Sequence, residues 1–385
     1  MGELLHDPWW AILFVAIGVA AVVTIFLTLF SRVGEVPERA TLTEVCGVRE
    51  REFLRGLAGT VNVPLQSGGV ARLLNNGDEF FPAILQALRE ARESIDFMIY
   101  IWEPGAMSDR LFDVLVEKAR EGVPVRVMVD GLAGRKAPAD RVEELRRAGG
   151  RWEWFHPLRF GYLMRIHKRN HRRAIIVDGK IGYTGGAAVM DKWLGHAQDP
   201  DHWRDCMVEV RGCLATNLQS SFAQLWCHVT GEMLLGDGFF PPTEEAEEAE
   251  PGPGESIFRH ISVVGAPSGG AQPMRQVFWL SFRAAQERLY ITNPYFVPDA
   301  MMRRVLKARA RAGVDVRVLV PNRHIDVKPI RWASHALFEE LLAAGVRIYE
   351  YQPTMIHQKI AVIDGVWSLV GSANLDVRSK ELNQE

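Results

Sequence analysis

At 385 residues the chain is long enough for two ordinary domains, and 48% apolar with 24% charged residues reads as globular rather than disordered. A formal net charge of −2 argues against a dedicated nucleic-acid binder, so no nucleic-acid partner is expected. Cys46, Cys206, Cys213 and Cys227 form no Cys-x-x-Cys pair and join no zinc-spaced histidine cluster, so they read as free, buried thiols and no metal site is expected.

The first element is Trp9–Phe30, which holds no charged residue. At about 1.5 Å per residue it spans roughly 33 Å as a helix, enough to cross a bilayer. Trp9 and Trp10 stand at one end, as an interfacial belt does. Residues 1–31 contain no Lys or Arg, which disfavours a cleaved signal peptide with its basic start. Arg32, Arg39, Arg49, Arg51 and Arg55 follow the run, against Glu3 and Asp7 before it. This bias predicts a single-pass transmembrane anchor with the remaining chain in the cytoplasm.

Beyond it, one unit is written twice. Helix-period residues at 84–91, a strand-like run at 95–101, a helix near 109–121 and a strand at 123–129 make the first copy. Residues 282–287, 289–292, 301–312 and 314–320 repeat that order. Gly122-Val-Pro-Val-Arg-Val-Met-Val129 and Gly313-Val-Asp-Val-Arg-Val-Leu-Val320 are nearly the same eight residues. Such apolar runs predict an α/β fold whose strands are buried on both sheet faces under helices. The resulting division is an anchor at 1–31, a juxtamembrane segment at 32–68, a first lobe at 69–240, an acidic Pro/Gly linker at 241–256 and a second lobe at 257–385.

The chemical motif is duplicated too. His171-Arg-Arg173-Ala-Ile-Ile-Val-Asp178-Gly matches His357-Gln-Lys359-Ile-Ala-Val-Ile-Asp364-Gly, and each copy reaches a pair of small residues, Gly185-Gly186 or Gly371-Ser372, seven positions after its Asp. A lone His two residues before a cation means nothing. Two copies at identical spacing inside an independent repeat are a strong signal. Residues two apart on a strand share a face, so each copy offers an imidazole beside a fixed positive charge. Two lobes packed about a pseudo-two-fold axis then bring both faces over one phosphate.

These residues resemble the phospholipase D superfamily, marked by a duplicated His-x-Lys-x4-Asp motif, and within it the bacterial cardiolipin synthases. The likeness covers most of the chain after the anchor. It rests also on Asn76–Pro82, Arg169–Arg172, Trp203-Arg204-Asp205 and Gly371–Ser379 with Glu381–Glu385. Two positions depart from the pattern. Arg173 stands where the family has Lys, and Ala188 where the second lobe has Asn374.

The resemblance implies two phospholipase D-like lobes and metal-independent, cofactor-free transfer through a phosphohistidine on His171, with His357 as acid and then base. Near its ordinary pKa of about 6.5, His357 would suit both steps. Arg173, Lys359, Ser372 and Asn374 would hold the phosphate oxygens. Asp205 and Glu385 would each reach across to the opposite lobe's His. Asp178 and Asp364 are alternative carboxylates, better suited to organising the strands. The implied reaction joins two phosphatidylglycerols in a bacterial inner membrane, with the bilayer and its phospholipids as partners. The motif itself leaves open a hydrolase of the same superfamily or a decayed membrane scaffold. The aromatic and basic stretch Trp152–Arg165 suits either a lipid interface or a covering loop. By the internal repeat, the second lobe lacks one strand and one helix. This predicts a chain continuing beyond Glu385, an exposed apolar patch and a poorly held Glu385.

Overall fold

The computed structural model describes residues 8–30, 46–158, 168–242, 256–265, 272–376, 378–379 and 383–385. Arg32, Arg39, most of the acidic linker and residues 159–165 of the aromatic and basic stretch lie outside them. One compact unit holds α1 (Pro8–Phe30), and a second holds the described residues from 46 onward. α1 runs for 23 residues, and its described side chains, Trp9, Trp10 and those at 12–21, are exposed. Among the described residues no helix is long and apolar enough to cross a membrane.

The second unit opens with α2 (Arg51–Val61), β1 (Gln66–Asn75), α3 (Asn76–Glu90), β2 (Ile95–Ile99), α4 (Ala106–Arg120), β3 (Val125–Asp130), α5 (Ala139–Arg147) and β4 (Arg151–Phe155). The first motif follows on β5 (Ala174–Val177), then β6 (Ile181–Gly185), β7 (Cys206–Arg211), α6 (Cys213–Thr230) and β8 (Ser256–His260). The second copy comprises α7 (Pro273–Arg283), β9 (Arg288–Thr292), α8 (Ala300–Arg311), β10 (Asp315–Pro321), α9 (Lys328–His335), α10 (Phe338–Leu342), β11 (Arg347–Tyr351), β12 (Ile360–Ile363) and β13 (Trp367–Val370). The helix anticipated at 282–287 ends four residues earlier, and Ala284–Glu287 form the turn into β9.

Both sheets share one core order. The first runs β4-β3-β2-β5-β6-β7-β1-β8 and the second β11-β10-β9-β12-β13. In each, parallel strands joined by helical crossovers meet an antiparallel hairpin that begins just after the motif His. Two segments cross the sequence-based boundaries. Phe53, Leu57 and Val61 of α2, spaced as one helical stripe, enter the second lobe's core with Val277 and Phe282. β8, placed at the start of the second lobe, pairs antiparallel with β1 in the first sheet.

The lobes differ in how their sheets are covered. β2, β3 and β5 are buried at every position, because α3 and α4 cover one face while Phe222, Leu225 and Trp226 of α6 cover the other. β9, β10 and β12 alternate instead. Leu289, Ile291, Val316, Val318 and Ile363 face the core. The opposite face is mixed: Leu319, Ile360 and Val362 are half-buried and Tyr349 and Val370 exposed, beside a polar cluster. Tyr290 donates to Asp315 at 3.0 Å, Arg317 bonds Asp315 and stacks 4.9 Å over the Tyr290 ring, and Arg347 lies 3.4 Å from Asp315. Among the described residues β13 is an end strand of the second sheet, and Val370 on it is exposed.

In the first lobe, burial of both faces encloses an ion pair. Arg126 Nε donates to Asp96 Oδ1 at 2.6 Å, and Gln219 of α6 donates to Asp96 Oδ2 at 2.7 Å. Asp96→Ala strands a buried guanidinium, so the protein should lose about 3–5 kcal/mol of stability in urea titrations. Replacing Asp96 and Arg126 together by apolar residues should recover most of that loss. A single variant as stable as the wild type would show that the pair is effectively solvated.

Candidate active site

The strand segments ahead of β5 and β12 carry the two histidines, and each is held by the other half of the chain. His171 N–H donates to Gln384 O at 2.8 Å and Gln384 N–H to Arg169 O at 2.9 Å. In the second copy, His357 N–H donates to Arg204 O at 2.8 Å and Arg204 N–H to Met355 O at 2.9 Å. In both cases the residue after the bridge is an acid, which is thereby delivered to the imidazole. His171 Nδ1 bonds Glu385 Oε2 at 2.9 Å, and His357 Nδ1 bonds Asp205 Oδ2 at 2.8 Å. All four side chains are buried. A carboxylate on Nδ1 fixes the proton there and leaves the Nε2 lone pair free for a phosphorus atom or a proton.

Each carboxylate is supported differently. Ser372 Oγ donates to Glu385 Oε2 at 2.7 Å. Gly186 is the counterpart of Ser372, and a Cβ there would lie 2.3 Å from Asp205 Oδ1. Trp193 Nε1–H fills the donor role instead, at 2.9 Å from Asp205 Oδ2. Glu385 is thus firmly placed, contrary to the poor hold anticipated for it. Its N–H donates to Gly265 O at 3.1 Å, and Gly265 N–H donates back to Glu385 O at 3.0 Å.

Arg173 and Lys359 enter the same centre. Arg173 Nη1 donates to His171 O at 2.6 Å, and its guanidinium lies 5.6 Å from the Tyr100 ring centre. Lys359 Nζ donates to His357 O at 2.7 Å and sits 3.0 and 3.3 Å from the two ring nitrogens. The site is one field: both cations press on both imidazoles. Asn374 is buried, with Oδ1 unpartnered.

Asp178 and Asp364 are elsewhere, which corrects their candidacy as catalytic carboxylates. Asp178 accepts the backbone N–H groups of Arg92, Glu93 and Ser94, and Asp364 those of Gln286, Glu287 and Arg288. Each takes a left-handed φ, 54° and 52°, at the hairpin tip. They cap the turn entering β2 or β9, at the far end of the strand from its His.

Three contributors escaped the sequence reading. Arg172 ties the halves together, donating to Gln224 Oε1 at 3.1 Å, Gly265 O at 3.1 Å and Gln384 Oε1 at 2.8 Å. Tyr100 meets His171 edge-on with ring centres 4.6 Å apart, and Tyr295 meets His357 at 6.3 Å. Their place just after β2 and β9 was the available signal.

The unperturbed histidine pKa expected from sequence does not hold. Burial lowers both imidazoles to about 4, aided by Arg173 at His171 and Lys359 at His357, with Glu385 and Asp205 opposing. Burial likewise lowers Lys359 to about 7. Between about 4 and 6.5 the unfolded chain therefore binds more protons than the fold. The histidine contribution to stability is complete above 6.5 and is lost as pH falls towards 4. A phosphate-like anion in the site favours the protonated forms and should flatten that loss. Thermal melts from pH 4 to 8 with and without vanadate test this, and parallel profiles would count against an anion site.

Two matched lobes that seat two carboxylate-bound histidines and two cations in one buried centre define a phospholipase D-like architecture. A family model described as "Cardiolipin synthase, PLD-like domain" matches residues 84–226 and 281–385. Cardiolipin synthase 2 of Bacillus anthracis is 35% identical over 88% of this chain and 64% of its own length. The cardiolipin synthase of Geobacillus kaustophilus is 36% identical over 84% of this chain and 63% of its own. The chain thus spans just under two thirds of these curated relatives. Among solved structures, phosphatidylserine synthase of Haemophilus influenzae shares the fold, with a TM-score of 0.60 at 15% identity over 87% of this chain and 85% of that one. The chain belongs to the cardiolipin synthase family of phospholipase D-like proteins.

Proposed function

We propose that this chain is a phosphatidyltransferase that makes cardiolipin from two phosphatidylglycerols. The observation that carries the reading is the crossed pair of His–carboxylate contacts, each acid coming from the half opposite its imidazole. His171 Nε2 attacks phosphorus and forms a P–N bond while the P–O bond to glycerol breaks. His357 supplies the proton that leaves with glycerol. The same His357 then takes the hydroxyl proton of a second phosphatidylglycerol, whose oxygen displaces His171. Both imidazoles must gain basicity for this, and the anionic diester supplies the charge that raises them. Lys359, Arg173 and Asn374 hold its non-bridging oxygens. Ser372, bonded to Glu385, acts through that carboxylate.

Matching anchorage of the two histidines favours a working site over a decayed scaffold. Incubation with phosphatidylglycerol followed by lipid mass spectrometry should yield cardiolipin and glycerol from wild type and neither from His171→Ala. Phosphatidic acid as sole product would replace transfer by hydrolysis.

The uncharged run Trp9–Phe30 supports a single membrane anchor, with the 1–31, 32–68, 69–240, 241–256 and 257–385 division modified by the exchanges of α2 and β8. The arginines that follow it support a cytoplasmic side for the lobes. A reporter fused after the second lobe should work in the cytoplasmic form and stay silent in the periplasmic form. The reverse pattern would refute this orientation.

A further inference from the structure

Between β10 and α10 the second lobe makes an excursion, residues 322–337, that the first lobe's sheet does not share. Its helix α9 has two unlike faces. Ile330 packs against the first lobe's core, Ser334 is buried, and Arg331 pairs with Glu350 at 2.7 Å. The other face presents Lys328, Pro329, Trp332 and Ala336, all exposed. These positions, three or four apart, form a single stripe. Trp332 is 67% exposed, and Val327 just before the helix is 37% exposed. A large aromatic held outward on an ordered helix is a different matter from scattered apolar residues at a surface. Lys328 lies on the stripe and Arg323 precedes the helix in the same excursion, both exposed and without an ion partner among the described residues.

The stripe is joined to the reaction centre. Asp326, between Arg323 and Lys328, accepts from the Tyr295 hydroxyl at 2.8 Å, and the Tyr295 ring faces His357. Ile325, one residue earlier, is buried in the first lobe's core. The excursion is therefore fixed at the rim of the active site by contacts to both lobes. An aromatic and cationic stripe there matches the interface of an anionic bilayer, where a Trp ring settles at headgroup depth and cations meet lipid phosphates.

We propose that the α9 stripe, with Trp332 as its anchor and Arg323 and Lys328 beside it, is a docking surface for an anionic lipid bilayer that holds the mouth of the active site against the membrane. This rests on the reading that both substrates are bilayer lipids. The full chain reconstituted in phosphatidylglycerol-containing bilayers is the test material. Trp332→Ala should lose roughly tenfold or more of cardiolipin formation from bilayer substrate, the scale of one large apolar side chain leaving the interface. It should keep wild-type activity on dispersed short-chain phosphatidylglycerol, and Trp332→Phe should restore most of the bilayer activity. Lys328→Glu should weaken turnover in anionic bilayers and leave the short-chain rate unchanged.

A second readout needs no turnover. Brominated phosphatidylglycerol should quench the emission difference between wild type and Trp332→Phe. Loss of both activities by Trp332→Ala with an unchanged melt would place Trp332 in the reaction itself and overturn docking. Equal retention of both, or an unquenched difference signal, would overturn it too. If the wild type makes no cardiolipin from either substrate, the functional reading fails while the quenching still decides the docking.

Discussion

His171→Ala should abolish transfer with every substrate, whereas His357→Ala should still form a covalent intermediate when the leaving group needs no proton. The two imidazoles sit in near-symmetric settings, each with a carboxylate on Nδ1 and a cation two residues on. Their difference lies in the neighbours. His171 has Tyr100 and Arg173 beside it, and His357 has Trp193, Trp203 and the Lys359 ammonium. An ammonium 3.3 Å from Nε2 suits a group that passes protons more than one that must reach phosphorus unhindered. Removing the nucleophile should lower the rate by on the order of 10⁶, the scale seen when an attacking group is deleted from a cooperating set. Removing the acid should lower it by roughly 10²–10⁴ with the natural leaving alcohol and far less with a nitrophenyl ester of the same phosphate. Acid-labile phosphate trapped on His171 in His357→Ala is the decisive measurement. Label on His357 in His171→Ala would exchange the two roles.

Lys359→Ala should nearly abolish activity, while Arg173→Lys should retain or raise it. Both side chains point into one centre, but they are engaged differently. Lys359 is a point charge pressed against His357, and burial has already lowered its pKa to about 7, so it gains most from an arriving anion. Truncating it leaves that anion's charge in a dry site without its nearest cation, a loss of roughly 10²–10³ or more in rate. Arg173 spends one guanidinium nitrogen on its own strand's carbonyl and lies over Tyr100, so its fork is only partly free for phosphate. A lysine there keeps the charge, is more compact and moves more freely. Steady-state rates with phosphatidylglycerol and the affinity for vanadate decide the matter. Equal tolerance of both changes would mean that the centre is not a phosphate site.

The duplicated spacing was enough to anticipate two like lobes and a shared centre, because local motifs repeat wherever a local unit repeats, while the crossing of Asp205 and Glu385 was implied by the family resemblance alone. Asp178 and Asp364 were read as suited to organising the strands, although how they do so, by holding three backbone N–H groups apiece, appears only when the preceding helix turn is packed beside them. Residues 32–68 were read only as a juxtamembrane segment, and nothing in the stripe Phe53, Leu57, Val61 hints that its partner lies more than two hundred residues away, in the second lobe. Likewise nothing in the pattern of β8 says which sheet edge it completes, since an edge strand is chosen by the unpaired backbone it meets. The polar cluster on the outer face of the second sheet was hidden for another reason: Val316-Arg317-Val318 reads as a buried run until the absence of a covering helix among the described residues lets Arg317 turn outward to Asp315 and Tyr290. Residue identity and spacing determined which groups could do the chemistry. Only tertiary packing decided that both histidines are dry enough to stay neutral well below pH 6.5, because desolvation depends on everything that surrounds a side chain and not on its neighbours in sequence.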